Sequence, residues 1–317
     1  MPRMTETSAV NMTVGPQFYD AVVENHDLKD VVVPAPVELP ANDTPRAGGV
    51  DLQAELGPLK ELPGAWIGSG FNLIARPAKH ENRPFFLELN ATKEILEFTA
   101  ISGPIPNRGS KQDDISYLGL SYIQRVSDSF TNGGLHIEPG LWLNIPPTTV
   151  PQAGETVVRL ATIPHGNSLL AQGQGFTVKG GPQIQTISST PTKANGEPLG
   201  HEHLGYLDPF ENTPPPPGIP AGAIGNPNLV LTDAIAGQNI TETVVLLIST
   251  QPSGGIENIP FIVENADAIS MNAIFWIETV HLPDGGTQIQ LQYSQTVILQ
   301  FDGINWPHIS VATLLKF

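Results

Sequence analysis

The stretch that decides the fold is Phe301–Phe317, FDGINWPHISVATLLKF: a turn at Asp302-Gly303, then a strand-like run that carries His308 and finishes the sequence. A strand at the edge of a sheet exposes a row of unpaired N–H and C=O groups and invites association with other chains. Closing the sheet removes that edge. The run around AWIGSGF, residues 65–71, is the expected partner, and its glycines at 68 and 70 let another backbone or a ligand come close. If these two runs pair, the sheet becomes a barrel and the chain ends inside a hydrogen-bonded ladder.

Working back from this end, TQIQLQYSQTVILQF (287–301) sets Ile289, Leu291, Tyr293, Val297 and Leu299 against Gln288, Gln290, Gln292, Ser294, Thr296 and Gln300. A period of two predicts a half-buried strand. The turn Pro283-Asp284-Gly285-Gly286 joins it to AIFWIETVHL before it, and WPHISVATLLK after it makes the third strand of a meander. Further strands are expected in ISYLGLSYIQRVSD, LHIEPGLWLNIPP, ETVVRLATIP, NSLLAQGQGFTVKG and PQIQTISST. FFLELNATKEILEFTAIS reads as two strands about a turn at Asn90–Lys93.

The composition agrees, since 31 Gly and 31 Pro leave little room for long helices. Residues 1–60 read as an extended N-terminal arm, and 61–317 as the barrel domain. Within that domain the Pro/Gly-rich stretch 190–225 is a long loop insertion. One short helix is expected in NPNLVLTDAIAGQ, with Asn226 as N-cap, Pro227 at its first position and Gly237 past its end. The fold class is therefore all-β: a closed antiparallel up-and-down barrel with an N-terminal arm and one insertion.

Charge and composition exclude several functions. Lys plus Arg is 15 against 31 for Asp plus Glu, and a net charge of -16 opposes nucleic acid and anionic lipid. The absence of cysteine removes disulfides, thiolate metal sites and cysteine nucleophiles. No apolar run reaches the roughly 20 residues of a membrane helix, so no membrane insertion is expected. MPRMTETSAVNMTVG has no apolar leader core, which predicts a cytoplasmic protein, and the Asn-x-Thr sequons at Asn11, Asn90 and Asn239 count as coincidence. There is no Gly-x-Ser-x-Gly elbow, Walker loop or strand-linked Gly-x-Gly-x-x-Gly.

Gly64, Trp66 and Gly68 form a Gly-x-Trp-x-Gly start, and His308 stands in the last strand. In these residues the chain resembles calycin-type (lipocalin-like) β-barrels, and within them the haem-binding barrels of the nitrobindin type. The resemblance covers the two ends of the domain; the arm and the 190–225 insertion depart from those compact proteins. It implies that the Trp plugs one end of the barrel and that His308 binds haem iron. A lone imidazole suits haem, whose porphyrin supplies four of the iron's ligands.

His165, at the turn in TIPHGNS, is the candidate acid/base or second axial ligand. Trp306, Tyr293 and Trp276 are candidates to line the ligand cavity, with Trp142, Tyr122 and Phe275 as further aromatics that fill or line the barrel. His136 and His281 are weaker candidates. His201-Glu202-His203, with Asp208 and Glu211 nearby, has the spacing of a metal clip but no rigid frame. Asp113-Asp114 reads as a solvated loop.

The expected function is binding of a hydrophobic planar ligand, haem first, with peroxidase-like or other small-molecule chemistry if an axial position stays open. The alternative is a non-catalytic carrier of a fatty acid or other apolar metabolite. The arm is a candidate contact for a homo-oligomer.

Overall fold

The computed structural model describes residues 55–200 and 204–317. Ten long strands follow in chain order: β1 (Gly64–Pro77), β2 (Phe85–Ala100), β3 (Ile115–Asp128), β4 (Gly134–Ile145), β5 (Thr156–Ile163), β6 (Asn167–Lys179), β7 (Asn239–Ser249), β8 (Asp267–His281), β9 (Thr287–Phe301) and β10 (Ile304–Lys316). Each pairs antiparallel with the next, and β10 returns to pair with β1. The fold is a closed, up-and-down antiparallel barrel of ten strands. Among the described residues three α-helices lie between strands: α1 (Leu204–Asn212), α2 (Leu229–Ala234) and α3 (Pro260–Asn265). Among the described residues no helix is long and apolar enough to cross a membrane.

The closing seam is the one expected from the two ends of the domain. It runs from Trp66 opposite Lys316 to Leu73 opposite Ile309, and the Phe317 N–H donates to the Ala65 carbonyl at 2.9 Å. The two glycines are what let β10 approach: a Cβ at Gly68 would lie 2.0 Å from the Thr313 carbonyl oxygen, and one at Gly70 2.1 Å from that of Val311. Both contacts fall on backbone, which cannot swing away.

Several local expectations are corrected. Phe85–Ala100 is one unbroken strand with no turn at Asn90–Lys93: Asn90 and Thr92 keep the alternation on the inward face, and Asn90 pairs directly opposite Asn72. Asn239–Ser249 is a barrel strand to which no element was assigned; Val244, Leu246 and Ile248 are its inward set. PQIQTISST is not a strand. It crosses the outside of the barrel, where Ile184 and Ile187 pack against the outer wall. The short helix begins at Leu229, with Asn228 rather than Asn226 as its N-cap, since the Asn226 Oδ1 accepts from the Ile187 N–H instead. The 190–225 stretch contains α1. Residues 1–54 of the arm, and His201, Glu202 and His203, lie outside the described residues.

Apolar side chains divide into two cores. Inside the barrel, Trp66 is fully buried beneath Leu59 and Leu62 and donates its indole N–H to the Leu62 carbonyl at 2.7 Å, so it plugs that end together with the turn at Gly57–Leu59. Outside, Phe71, Leu73, Trp276, Trp306, Ile309 and Val311 form a second core covered by Leu231, Tyr206, Phe210 and Ile187 of the excursion between β6 and β7. Strands β1, β8 and β10 thus contribute apolar side chains to both cores, Trp66 and Phe71 on β1, Phe275 and Trp276 on β8, and Leu314 and Val311 on β10.

Candidate functional site

Away from the Trp66 plug, the inward positions change from apolar to polar. On β2, Leu96 and Phe98 give way to Glu94, Thr92 and Asn90; on β3, Leu118 and Leu120 give way to Tyr122 and Gln124. β4 contributes Glu138 and His136, β5 Arg159, β9 Tyr293 and Gln295, and β10 His308 and Ser310, which lie opposite Val297 and Gln295. This upper half of the barrel interior is the candidate site. His136, Asn72 and His308 are half-buried there and His165 is exposed at the rim, so this end is a mouth.

The floor is a pair of buried networks. Glu94, 2% exposed, accepts from Thr92 Oγ1 at 2.9 Å, Tyr293 Oη at 2.6 Å and Gln124 Nε2 at 3.3 Å. Burial pushes its pKa up, against the pull of those three donors. Glu138, 1% exposed, accepts from Arg159 Nη2 and Tyr122 Oη on one oxygen and meets His136 Nε2 at 3.2 Å on the other. Burial opposes its charge, but the Arg159 guanidinium, then His136 and Tyr122, outweigh burial and hold it down at about 2. It is therefore a carboxylate at any ordinary pH.

Arg159, also 1% exposed, donates in addition to Tyr122 Oη at 2.9 Å and Gln295 Oε1 at 2.7 Å. Its guanidinium lies 5.7 Å from the Trp142 ring centre and 5.6 Å from that of Phe275, a cation–π setting that suits a charge withdrawn from water. Room for this cluster comes from Gly140, where a Cβ would sit 2.6 Å from the Tyr122 ring.

The wall at His308 is a directional hydrogen-bond chain. Asn90 Nδ2 donates to the Asp128 carboxylate at 3.1 Å, and Asn72 Nδ2 donates to Asn90 Oδ1 at 3.4 Å. A carboxylate only accepts, so the order of donors and acceptors is fixed from Asp128 inward. Asn72 Oδ1 is then the acceptor for Ser310 Oγ at 3.0 Å and for His308 Nε2 at 2.8 Å. His308 must carry its proton on Nε2, leaving Nδ1 as the bare nitrogen. Burial first, then the neighbouring His136 and His165, pushes its pKa down to about 3, so the ring is neutral.

The same logic applies across the mouth. The Glu138 carboxylate can only accept, so His136 holds its proton on Nε2 as well. His165 stands beside it, ring centres 6.4 Å apart, and partial burial followed by His136 pushes its pKa down. Of the residues expected at a site, His308, His165 and Tyr293 are brought together here, with His136 beside them. Trp276 is not: it faces the outer core. Trp306 packs outward too, against Phe85 at 4.5 Å and Phe301 at 5.1 Å between ring centres. His281 is exposed at the end of β8. Among the described residues no group of three or more His, Asp or Glu has the arrangement of a metal site. A cleft of about 410 Å³ on the outer wall, lined by Gln172, Leu247, Ile274 and Thr296 among others, has no ionisable side chain and offers no comparable chemistry.

Sequence reasoning passed over Glu94, Glu138, Arg159 and Asn72. The available signal was a charged or amide side chain in the inward phase of a strand: Arg159 falls in step with Val157 and Ala161, and Glu138 with His136 and Trp142.

No family model matches this chain, and no curated protein matches it. Among solved structures it is similar to the crystal structure of Rv2717c from M. tuberculosis, at 14% identity over 84% of this chain and 98% of that one, with a TM-score of 0.41.

Proposed function

We propose that the mouth of the barrel binds a flat small molecule, with haem the first candidate and His308 as its ligating imidazole. The observation that carries this reading is the state of His308: neutral, half-buried, and anchored through one ring N–H so that the other nitrogen offers its lone pair. Metal-bound histidines are held in this way, with the second ring nitrogen donating to a fixed acceptor that sets the tautomer. The atom available to the iron is then Nδ1 of His308, with the Asp128–Asn90–Asn72 chain as its support. Haem would supply an iron able to bind peroxide, nitric oxide or another small ligand. The chain's own part is to hold the imidazole and to line the facing wall with His136 and His165. The Gly64-Trp66-Gly68 start and His308 are the points of resemblance to the nitrobindin-type calycins.

Haemin titration tests the proposal. A shifted Soret band in the wild type that disappears in His308→Ala supports ligation; no shift, or the same shift in both, removes haem. The second reading, a carrier for an apolar metabolite, is favoured by Ile163, Leu169, Ile248, Met271 and Val297, which pack at the same inner core. It predicts displacement of a fluorescent fatty acid with no dependence on His308.

A further inference from the structure

We infer that His136 is the proton-handling side chain of the barrel mouth, positioned by Glu138 and Arg159 to accept a proton or hydrogen bond on Nδ1 from an O–H or N–H of a bound ligand. This rests on the reading that the mouth binds a small molecule, but not on that molecule being haem. The sequence pointed to His165 for this role, yet His165 is exposed and stands beside two other imidazoles, His136 and His308, whereas His136 is backed by a carboxylate.

The relay has three members with distinct tasks. Arg159 donates to Glu138 and is itself anchored by Tyr122 and Gln295, so the Glu138 carboxylate is fixed in place and stays charged at full burial. Glu138 presents its other oxygen to His136 Nε2, two residues away on the same inward face of β4. An acceptor-only partner fixes a proton on Nε2, so in the neutral ring Nδ1 is the base, the logic by which a buried carboxylate orients a catalytic imidazole. The titratable groups that face His136 are Glu138 on its own strand, His165 from the β5–β6 turn, His308 from β10 and Glu94 from β2.

The balance of the step is simple. The ligand's O–H or N–H bond breaks, its proton goes to His136 Nδ1, and the electron pair remains on the ligand atom. The imidazolium so formed keeps its Nε2–H bond to Glu138. The ligand class is a protic one with a weakly acidic O–H or N–H, such as a phenol.

The test uses the full-length, ¹⁵N-labelled chain without added ligand, read by long-range ¹H–¹⁵N correlation of the histidine rings. His136 is expected as the Nε2–H tautomer in the wild type. Glu138→Gln is expected to shift the tautomer ratio about tenfold towards a mixture, because a charge-assisted hydrogen bond is lost. Should that variant not fold, Arg159→Gln with Glu138→Gln removes both charges together and carries the same expectation. A wild-type His136 that is tautomer-averaged or protonated on Nδ1 alone overturns the positioning. Adding 4-nitrophenol should then move the His136 Nδ1 resonance in the wild type, and less in the Glu138 variant; a resonance that stays put at millimolar probe overturns the role. A correct tautomer and phenol response with no haemin Soret shift would leave this inference standing and remove haem.

Discussion

Two glutamates of this barrel are equally hidden and are pushed in opposite directions, one to the charged form and one towards the neutral acid. Glu138, inside, is 1% exposed and meets Arg159, Tyr122 and His136. Glu278, on the outer face of β8 beneath the excursion, is 0% exposed and meets one amide, Gln290 Nε2, while its Oε1 has no hydrogen-bond partner among the described residues. Burial acts on both in the same direction. Inside, a guanidinium overrules it and the carboxylate sits at about 2; outside nothing does, and the carboxyl is pushed up to about 7. The difference is that of a charge provided for and a charge tolerated. A carboxylate with a guanidinium, a phenol and an imidazole arranged around it costs more to assemble than an apolar layer of the same size, and such sites are where function is sought.

The largest effect expected comes from breaking the inner pair. Arg159→Met leaves Glu138 buried without its counter-charge, and urea unfolding should show a loss of about 3–5 kcal/mol. Removing both charges in Arg159→Met/Glu138→Leu should restore most of that loss. If the single variant is as stable as the wild type, the inner carboxylate is not provided for in the way the hydrogen bonds indicate.

The outer glutamate gives the next largest effect, with a sign that can be worked out. Its pKa is raised from 4.5 when unfolded to about 7 when folded, so the folded state binds the extra proton. Its contribution is fully present below the unfolded value and is lost as pH rises through about 7. At 1.36 kcal/mol per unit, the loss by pH 8 is about 3 kcal/mol at most. Glu278→Gln should abolish this slope between pH 5 and 7 and be the more stable protein at pH 8; an unchanged slope would assign the pH dependence elsewhere.

The same contrast explains what could be read from the sequence. Closure of the barrel was legible because Gly68, Gly70 and the alternating last strand state it locally: each is a short-range pattern with one geometric solution. The meander of β8, β9 and β10 was legible for the same reason. β7 was missed because TETVVLLIS is apolar on both faces, one set inside and Val245 in the outer core, so the period of two is erased. Trp276 and Trp306 were assigned to a cavity because a second core outside the barrel cannot be inferred from strand periodicity; it exists only because the excursion folds back over the wall. The relay was hidden for a related reason. Arg159 and Glu138 are 21 residues apart on neighbouring strands, and only register brings them together.

The smallest expected effect concerns the wall that holds His308. Asn72 joins Asn90 to Ser310 and His308, so Asn72→Ala removes an acceptor from two donors and a donor from one acceptor. The site is half-buried and water can replace part of what is lost, so the stability cost should be about 1 kcal/mol. The informative readout is the ring of His308. With Asn72 present the chain from Asp128 dictates the Nε2–H form, and without it the two tautomers should coexist in the ¹⁵N spectrum. A His308 that keeps a single tautomer in Asn72→Ala would show that the polarity of this wall is not set from Asp128, and that the two faces of the mouth are not held by equivalent anchors.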